Sequence, residues 1–172
     1  MQLLEFKQQL KNPLRQATLV FLVKDNQVLL AMKKRGHGIS KWNGVGGKVK
    51  TDETVEQAAI RETKEEIGVT PLALELCAKL NFYFLEESLE KDWNQQVVVY
   101  ICDKWEGEPE ESEEMAPKWF DKTNLPFAEM WPDDPDWLPL VLNDQKLNAN
   151  FAFAKDGSIS EFNVKMVTKI SL

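Results

Sequence analysis

Three glutamates stand where they could act together on one ion. Glu62, Glu65 and Glu66 occupy positions i, i+3 and i+4 of a segment rich in helix formers. On a helix all three project from one face. Like charges at that spacing repel by roughly 0.2–0.5 kcal/mol per exposed pair. A chain that keeps three together has a use for them against positive charge. Hard divalent cations such as Mg²⁺, which prefer carboxylate, carbonyl and water oxygens, are the obvious partners. A glycine cluster (Gly44, Gly46, Gly47) precedes the group and Gly68 closes it.

Other chemistries are poorly served. In GVGGKV, Lys48 is followed by Val49 where a P-loop needs Ser or Thr, and Val49 also fills the third glycine position of GxGxxG. His37, the single histidine, sits in a Gly-flanked loop, so a Ser-His-Asp or Cys-His site would depend on it alone. Cys77 and Cys102 are the only cysteines; they are too few for the usual zinc sets and read as reduced core thiols. With a formal net charge of −7, the chain is ill-suited to a nucleic-acid duplex, which needs clustered Lys and Arg. A small phosphorylated ligand stays open, because bound metal can offset its charge. Residues 1–16 contain no apolar run long enough for a signal peptide or membrane span, so the cytoplasm is the expected location.

The elements that must position these residues follow from the hydrophobic pattern. The 172 residues suit one α/β domain, 1–172, with residues 1–16 as a short helix or extended arm. Thr18–Val23 and Val28–Met32 read as strands around a Lys24–Gln27 turn, followed by a polar, Gly-rich loop. Residues 54–67 predict a helix capped by Thr51 or Asp52 and stopped by Gly68. Val55, Ala58 and Ala59 are expected on the side of the glutamates. Lys79–Leu85 and Gln95–Cys102 predict strands joined by a polar loop over Glu86–Asn94. Trp105–Glu114 is an acidic, turn-rich segment, and Lys118–Asp121 a short strand. Asp134-Pro135 should cap a second helix around Trp137–Leu142. The end of the chain reads as a hairpin through Lys155–Ser158.

One spacing is more specific than any of these. Gly47, five residues, Glu53, seven residues, then Arg61-Glu62-Thr63-Lys64-Glu65-Glu66-Ile67-Gly68-Val69 resembles the Nudix box, G-x5-E-x7-R-E-U-x-E-E-x-G-U, where U is a bulky aliphatic. Every charged and glycine position of residues 47–69 agrees; Thr63 at the first U, a packing position, is the one departure. The flanking segments MKKRGHGISKWNGVGGKV, PEESEEMAPKWF and MWPDDPDW resemble the MutT-type members of that family in animals, which hydrolyse oxidised purine nucleoside triphosphates. The likeness runs over roughly residues 17–167.

The resemblance implies a Nudix fold, a mixed β-sheet sandwiched between α-helices. It implies Mg²⁺, with Mn²⁺ as a substitute, held by Glu62, Glu65, Glu66, Glu114 and a backbone carbonyl near Gly46. Water attack on a phosphorus would give the monophosphate and pyrophosphate, with Glu62 or Glu114 taking the water proton. Arg61 would orient the glutamates, and Glu53 would tie down the loop–helix junction. The substrate is a small nucleotide and the protein a monomer. For the base, Asn43 offers a donor and an acceptor, Trp131 a stacking face, and the Asp133–Asp134 pair a carboxyl that burial could keep protonated. Phe82, Phe84 and Met115 would form the walls, with Thr18 and Lys33 at the edge. The plain alternatives stand beside these: Asp134 as a helix cap, Phe82 and Phe84 as core, Trp131 as packing, Glu114 as a solvated carboxylate. His37 and Gln95 stand where the animal enzymes carry an aromatic residue and a methionine. Another nucleoside diphosphate-X substrate, or a non-catalytic Nudix-fold binding module, are the alternatives in function.

Overall fold

The computed structural model describes residues 1–85 and 93–172, so most of the loop expected over Glu86–Asn94 lies outside the described residues. The expected α/β class is observed, as a mixed sheet with helices on its faces. Strand β1 (Arg15–Lys24) lies at its centre, parallel to β5 (Gln95–Glu106) and antiparallel to β2 (Gln27–Lys33). On one side, β2 pairs with β3 (Trp42–Asn43) and with β6 (Met115–Asp121). On the other, β5 pairs with β4 (Thr70–Phe84), which runs parallel to β7 (Lys146–Phe153), and β8 (Ile159–Val167) forms the edge.

Period-two alternation on the central strands divides the interior into two cores. Leu19, Phe21, Val97 and Val99 face one side, where helix α3 (Asp134–Leu142) adds Trp137, Leu138 and Val141. Val20, Leu22, Val98 and Tyr100 face the other, where helix α2 (Val55–Ile67) adds Ala59 and Ile67. The N-terminal arm is a helix, α1 (Leu3–Gln9), with Leu3 and Phe6 buried against Tyr83 and Ala152. Full burial of one such phenylalanine contributes about 1.5–3 kcal/mol, enough to hold a two-turn helix that would not persist alone.

Three local expectations are corrected. The cap of α2 is Thr54, not Thr51 or Asp52. Thr54 Oγ1 accepts from the Gln57 amide while Gln57 Oε1 accepts from the Thr54 amide, a reciprocal capping box. At α3, Asp133 takes the cap position without a side-chain cap bond and Pro135 falls one place later, because both aspartates are engaged elsewhere. Strand β4 starts nine residues before the predicted Lys79. Pro71 disguised that half in the sequence, and register shifts along its pairing with β5 accommodate it.

Cys77 and Cys102 are both buried and free, as read from sequence. Among the described residues no helix is long and apolar enough to cross a membrane.

Candidate active site

The glycines before α2 exist to let backbone and carboxylate approach. A Cβ on Gly46 would lie 1.8 Å from the Thr18 carbonyl oxygen, and a Cβ on Gly47 only 2.6 Å from the Glu62 carboxyl carbon. With side chains absent, the loop threads along β1: the Thr18 amide donates to the Gly47 carbonyl at 2.9 Å, and Val20 and Val45 exchange backbone bonds. The last turns of α2 then press on this loop. The Gly46 amide donates to Glu66 Oε2 at 3.1 Å, and Glu66 is buried. Desolvation raises its pKa to about 8, against the Gly46 bond, with the charges of Glu62 and Glu114 adding to the rise.

Arg61 is the hub of the carboxylates. Its Nε and Nη2 bond Glu53 at 3.0 and 2.6 Å, and Nη1 bonds Glu62 at 2.8 Å and Glu65 at 3.2 Å. Nη2 also reaches the Lys48 carbonyl at 3.2 Å, fastening loop to helix. The bond from Arg61 holds the Glu53 carboxyl down to about 2, helped by the Lys50 amide. Thr63, the departure from the aliphatic pattern, is fully buried and donates to the Ala59 carbonyl, so its hydroxyl is satisfied within α2.

The three glutamates do not share one buried face. They span an arc of about 100° on the helix; Glu62 and Glu66 turn toward the glycine loop, whereas the Glu65 side chain is 57% exposed. Glu114 arrives from the acidic segment before β6 and is bound by Arg35 Nη2 at 2.9 Å. Arg35 lies in the Gly-rich loop after β2, where Lys34 also pairs with Glu111. Among the described residues, no three His, Cys, Asp or Glu side chains converge as a ready metal-binding group.

Beside the glycine loop opens a cavity of about 250 Å³. Its lining includes every residue expected to bind substrate: Thr18, Lys33, Asn43, Phe82, Phe84, Met115, Trp131, Asp133 and Asp134, together with Gly46. Asn43 Oδ1 accepts from the Gly44 amide at 2.8 Å. Asp133 Oδ2 accepts from Trp137 Nε1 at 2.9 Å, and Asp134 Oδ2 from the Trp131 amide at 3.1 Å. Both aspartates are buried, and desolvation raises both pKa values; for Asp134 the adjacent Asp133 charge adds to it. Phe82 stacks on Phe151 and Phe84 on Phe153, so the plain core alternative for these two holds alongside their place in the cavity wall.

A NUDIX domain model matches residues 13–141. This chain belongs to the Nudix family.

As a Nudix hydrolase it acts on a pyrophosphate bond. It is 48% identical over 136 residues to an oxidized purine nucleoside triphosphate hydrolase of Danio rerio, covering 79% of this chain and 85% of that one. The namesake of Mus musculus is 40% identical over 150 residues, 87% of this chain and 94% of that one. Among solved structures, a MutT protein from Bacillus halodurans superposes with a TM-score of 0.77 at 25% identity, covering 88% of this chain and 98% of that one. Nudix hydrolases generally need a divalent metal.

His37 and Gln95, which depart from the animal pattern, both line this Nudix cavity, and the His37 ring lies 5.2 Å from the Trp131 indole. Beside them stand residues that the sequence did not single out: Lys41 holds its ammonium 5.2 Å from the Trp131 ring centroid. Phe153 and Gly157 close the wall from the C-terminal hairpin. The parity of NFAFA puts Phe153 on the face of Phe151, a signal that was available; nothing local marks Gly157 or Lys41.

Proposed function

We propose that this chain is a Mg²⁺-dependent diphosphatase of oxidised purine nucleoside triphosphates, such as 8-oxo-dGTP or 2-hydroxy-dATP, releasing the monophosphate and pyrophosphate. The observation that carries this reading is the joining of two chemistries in one cavity. Gly46 and Gly47, pressed by Glu66 and Glu62, floor it; the buried Asp133–Asp134 pair and Asn43 also line it. The names of the animal relatives support the choice of substrate.

The residues present fit a divalent ion. Burial first, and then the neighbouring charges of Glu62 and Glu114, raise the Glu66 pKa to about 8, and a bound Mg²⁺ or Mn²⁺ would offset the crowded negative charge. Glu62, Glu65, Glu66, Glu114 and the Gly46 carbonyl would hold it. Bound there, the ion would supply Lewis-acid polarisation of the phosphorus and a water of lowered pKa. Arg61 fixes Glu62 through a charge-assisted bond. Glu62 takes the water proton, because it stands against the cavity floor while Glu114 is drawn to Arg35 at the surface.

For the base, Asp134 Oδ2 is occupied by the Trp131 amide, which leaves its second oxygen to carry a proton and donate to a purine acceptor. Asn43, with Oδ1 turned to Gly44, offers its Nδ2 as donor. Trp131 supplies a flat face, and Lys33 meets the phosphates. The whole chain works as one monomeric domain in the cytoplasm on free nucleotides, without a duplex or a membrane. A pyrophosphate-release screen with Mg²⁺ across 8-oxo-dGTP, 2-hydroxy-dATP, unmodified nucleotides and ADP-ribose tests this. Fastest turnover of an oxidised purine is expected; turnover of ADP-ribose alone would reassign the substrate, and no turnover would favour a binding module.

A further inference from the structure

Gln95 is the cavity residue whose chemistry is least explained by packing. It opens β5, its Cα paired with those of Arg15 and Phe82, and it shares a strand face with Val97 and Val99. The wall around it is apolar: Phe82, Phe84, Val97 and Phe153 line the cavity with it. The next residue, Gln96, points to the opposite face and donates to Asn81 Oδ1 at 3.0 Å. Among the described residues, no hydrogen bond engages the half-buried Gln95 amide. A half-buried carboxamide among apolar side chains at the cavity wall, without a partner among the described residues, has both a donor and an acceptor to offer a bound group.

Resting on the substrate class proposed above, we propose that Gln95 is a specificity-determining residue that reads the edge created when a purine is oxidised. Oxidation at C8 turns N7 into an N–H donor beside a new C=O acceptor. A carboxamide complements that pair twice over, its NH₂ donating to the carbonyl oxygen and its oxygen accepting from the N–H. An unoxidised purine has an acceptor at N7 and a bare C–H at C8, so only one of the two bonds can form. A site built to hydrogen-bond a group rejects the analogue lacking it more strongly than an apolar wall can. Asp134 and Asn43 read features elsewhere on the base, so discrimination and binding are separable.

The test compares kcat/KM for 8-oxo-dGTP and dGTP in the wild type, Gln95→Met and Gln95→Glu. Gln95→Met keeps length and apolar fit without hydrogen bonds; Gln95→Glu keeps shape and the acceptor but removes the donor. Both should lower the 8-oxo-dGTP to dGTP ratio on the order of tenfold, through KM for the oxidised nucleotide. Activity on dGTP, which can lose only the single N7 bond, should fall severalfold less than activity on 8-oxo-dGTP, and an unchanged melting temperature should report correct folding. An unchanged ratio, or an equal fall for both nucleotides, overturns the role of Gln95 while leaving the diphosphatase reading intact. A wild type with no preference for the oxidised base overturns both the role of Gln95 and the choice of oxidised purines as substrates.

Discussion

Replacing Gly47 by alanine should separate catalysis from folding. Gly47 is not among the glycines of positive φ, so its backbone accepts a side chain without strain. The added Cβ would lie 2.6 Å from both Cδ and Oε1 of Glu62 and 2.9 Å from Oε2. Ordinary contact begins near 3.4 Å, so the carboxylate must retreat by about 0.8 Å (3.4 − 2.6). Glu62 is a side-chain end held by one strong bond to Arg61, so it can move while α2 stays in place. A displacement of this size at a reacting group costs about 10²-fold in rate, or about 2.7 kcal/mol in activation free energy. Gly46→Ala is the contrast: its Cβ meets the Thr18 carbonyl of β1 at 1.8 Å, backbone against backbone, and should prevent normal folding. Steady-state kinetics with 8-oxo-dGTP, with melting temperature beside it, reads both. A Gly47→Ala enzyme with unchanged kcat would refute the placement of Glu62 at the reaction; one that melts like Gly46→Ala would refute the idea that only the carboxylate yields.

Further outcomes follow from the same geometry. In the folded, metal-free protein burial raises the Glu66 pKa to about 8 from the ordinary 4.5, so between those values the unfolded chain is ionised while the folded one keeps its proton. Stability should therefore fall as pH rises from 5 to 8 in a chelator; Asp133 and Asp134, shifted the same way, add to the slope. Glu66→Gln should flatten its share, and an unaltered slope in melting temperature would contradict the burial argument. Arg61→Lys keeps a charge but loses the fork that joins Glu53, Glu62 and Glu65. Denaturant midpoints should show a loss of about 1–3 kcal/mol, together with a fall in kcat. Asn43→Ala should raise KM with little change in kcat, and an unchanged KM would remove Asn43 from base recognition. Releasing Glu114 by Arg35→Ala should tighten Mn²⁺ binding measured by electron paramagnetic resonance; weaker binding would mean that Arg35 supports the site instead.

Local chemistry made part of this legible from the residues. The spacing of Gly47, Glu53, Arg61, Glu62 and Glu66 encodes a helix end against a glycine loop, and a short span of chain carries it. The branched runs at Thr18 and Gln95 marked the central strands, because both their faces are buried. Tertiary competition hid the rest. Thr51, Asp52 and Thr54 are all plausible caps in isolation, and the reciprocal bond with Gln57 selects Thr54. Asp134 looked like a cap, yet the Trp131 amide draws its carboxylate away. The exposure of Glu65 and the capture of Glu114 by Arg35 depend on segments far apart in sequence. So does the arrival of Gly157 beside the cavity.

If the carboxylates of α2 run metal-dependent hydrolysis of a nucleoside triphosphate, removing either of two charges there must stop it. The direct measurement is kcat for pyrophosphate release from 8-oxo-dGTP with saturating Mg²⁺ in the wild type, Glu62→Gln and Glu66→Gln. Both variants keep side-chain size and remove charge. A fall of orders of magnitude in each is the predicted result, and near wild-type rates in both would contradict the account.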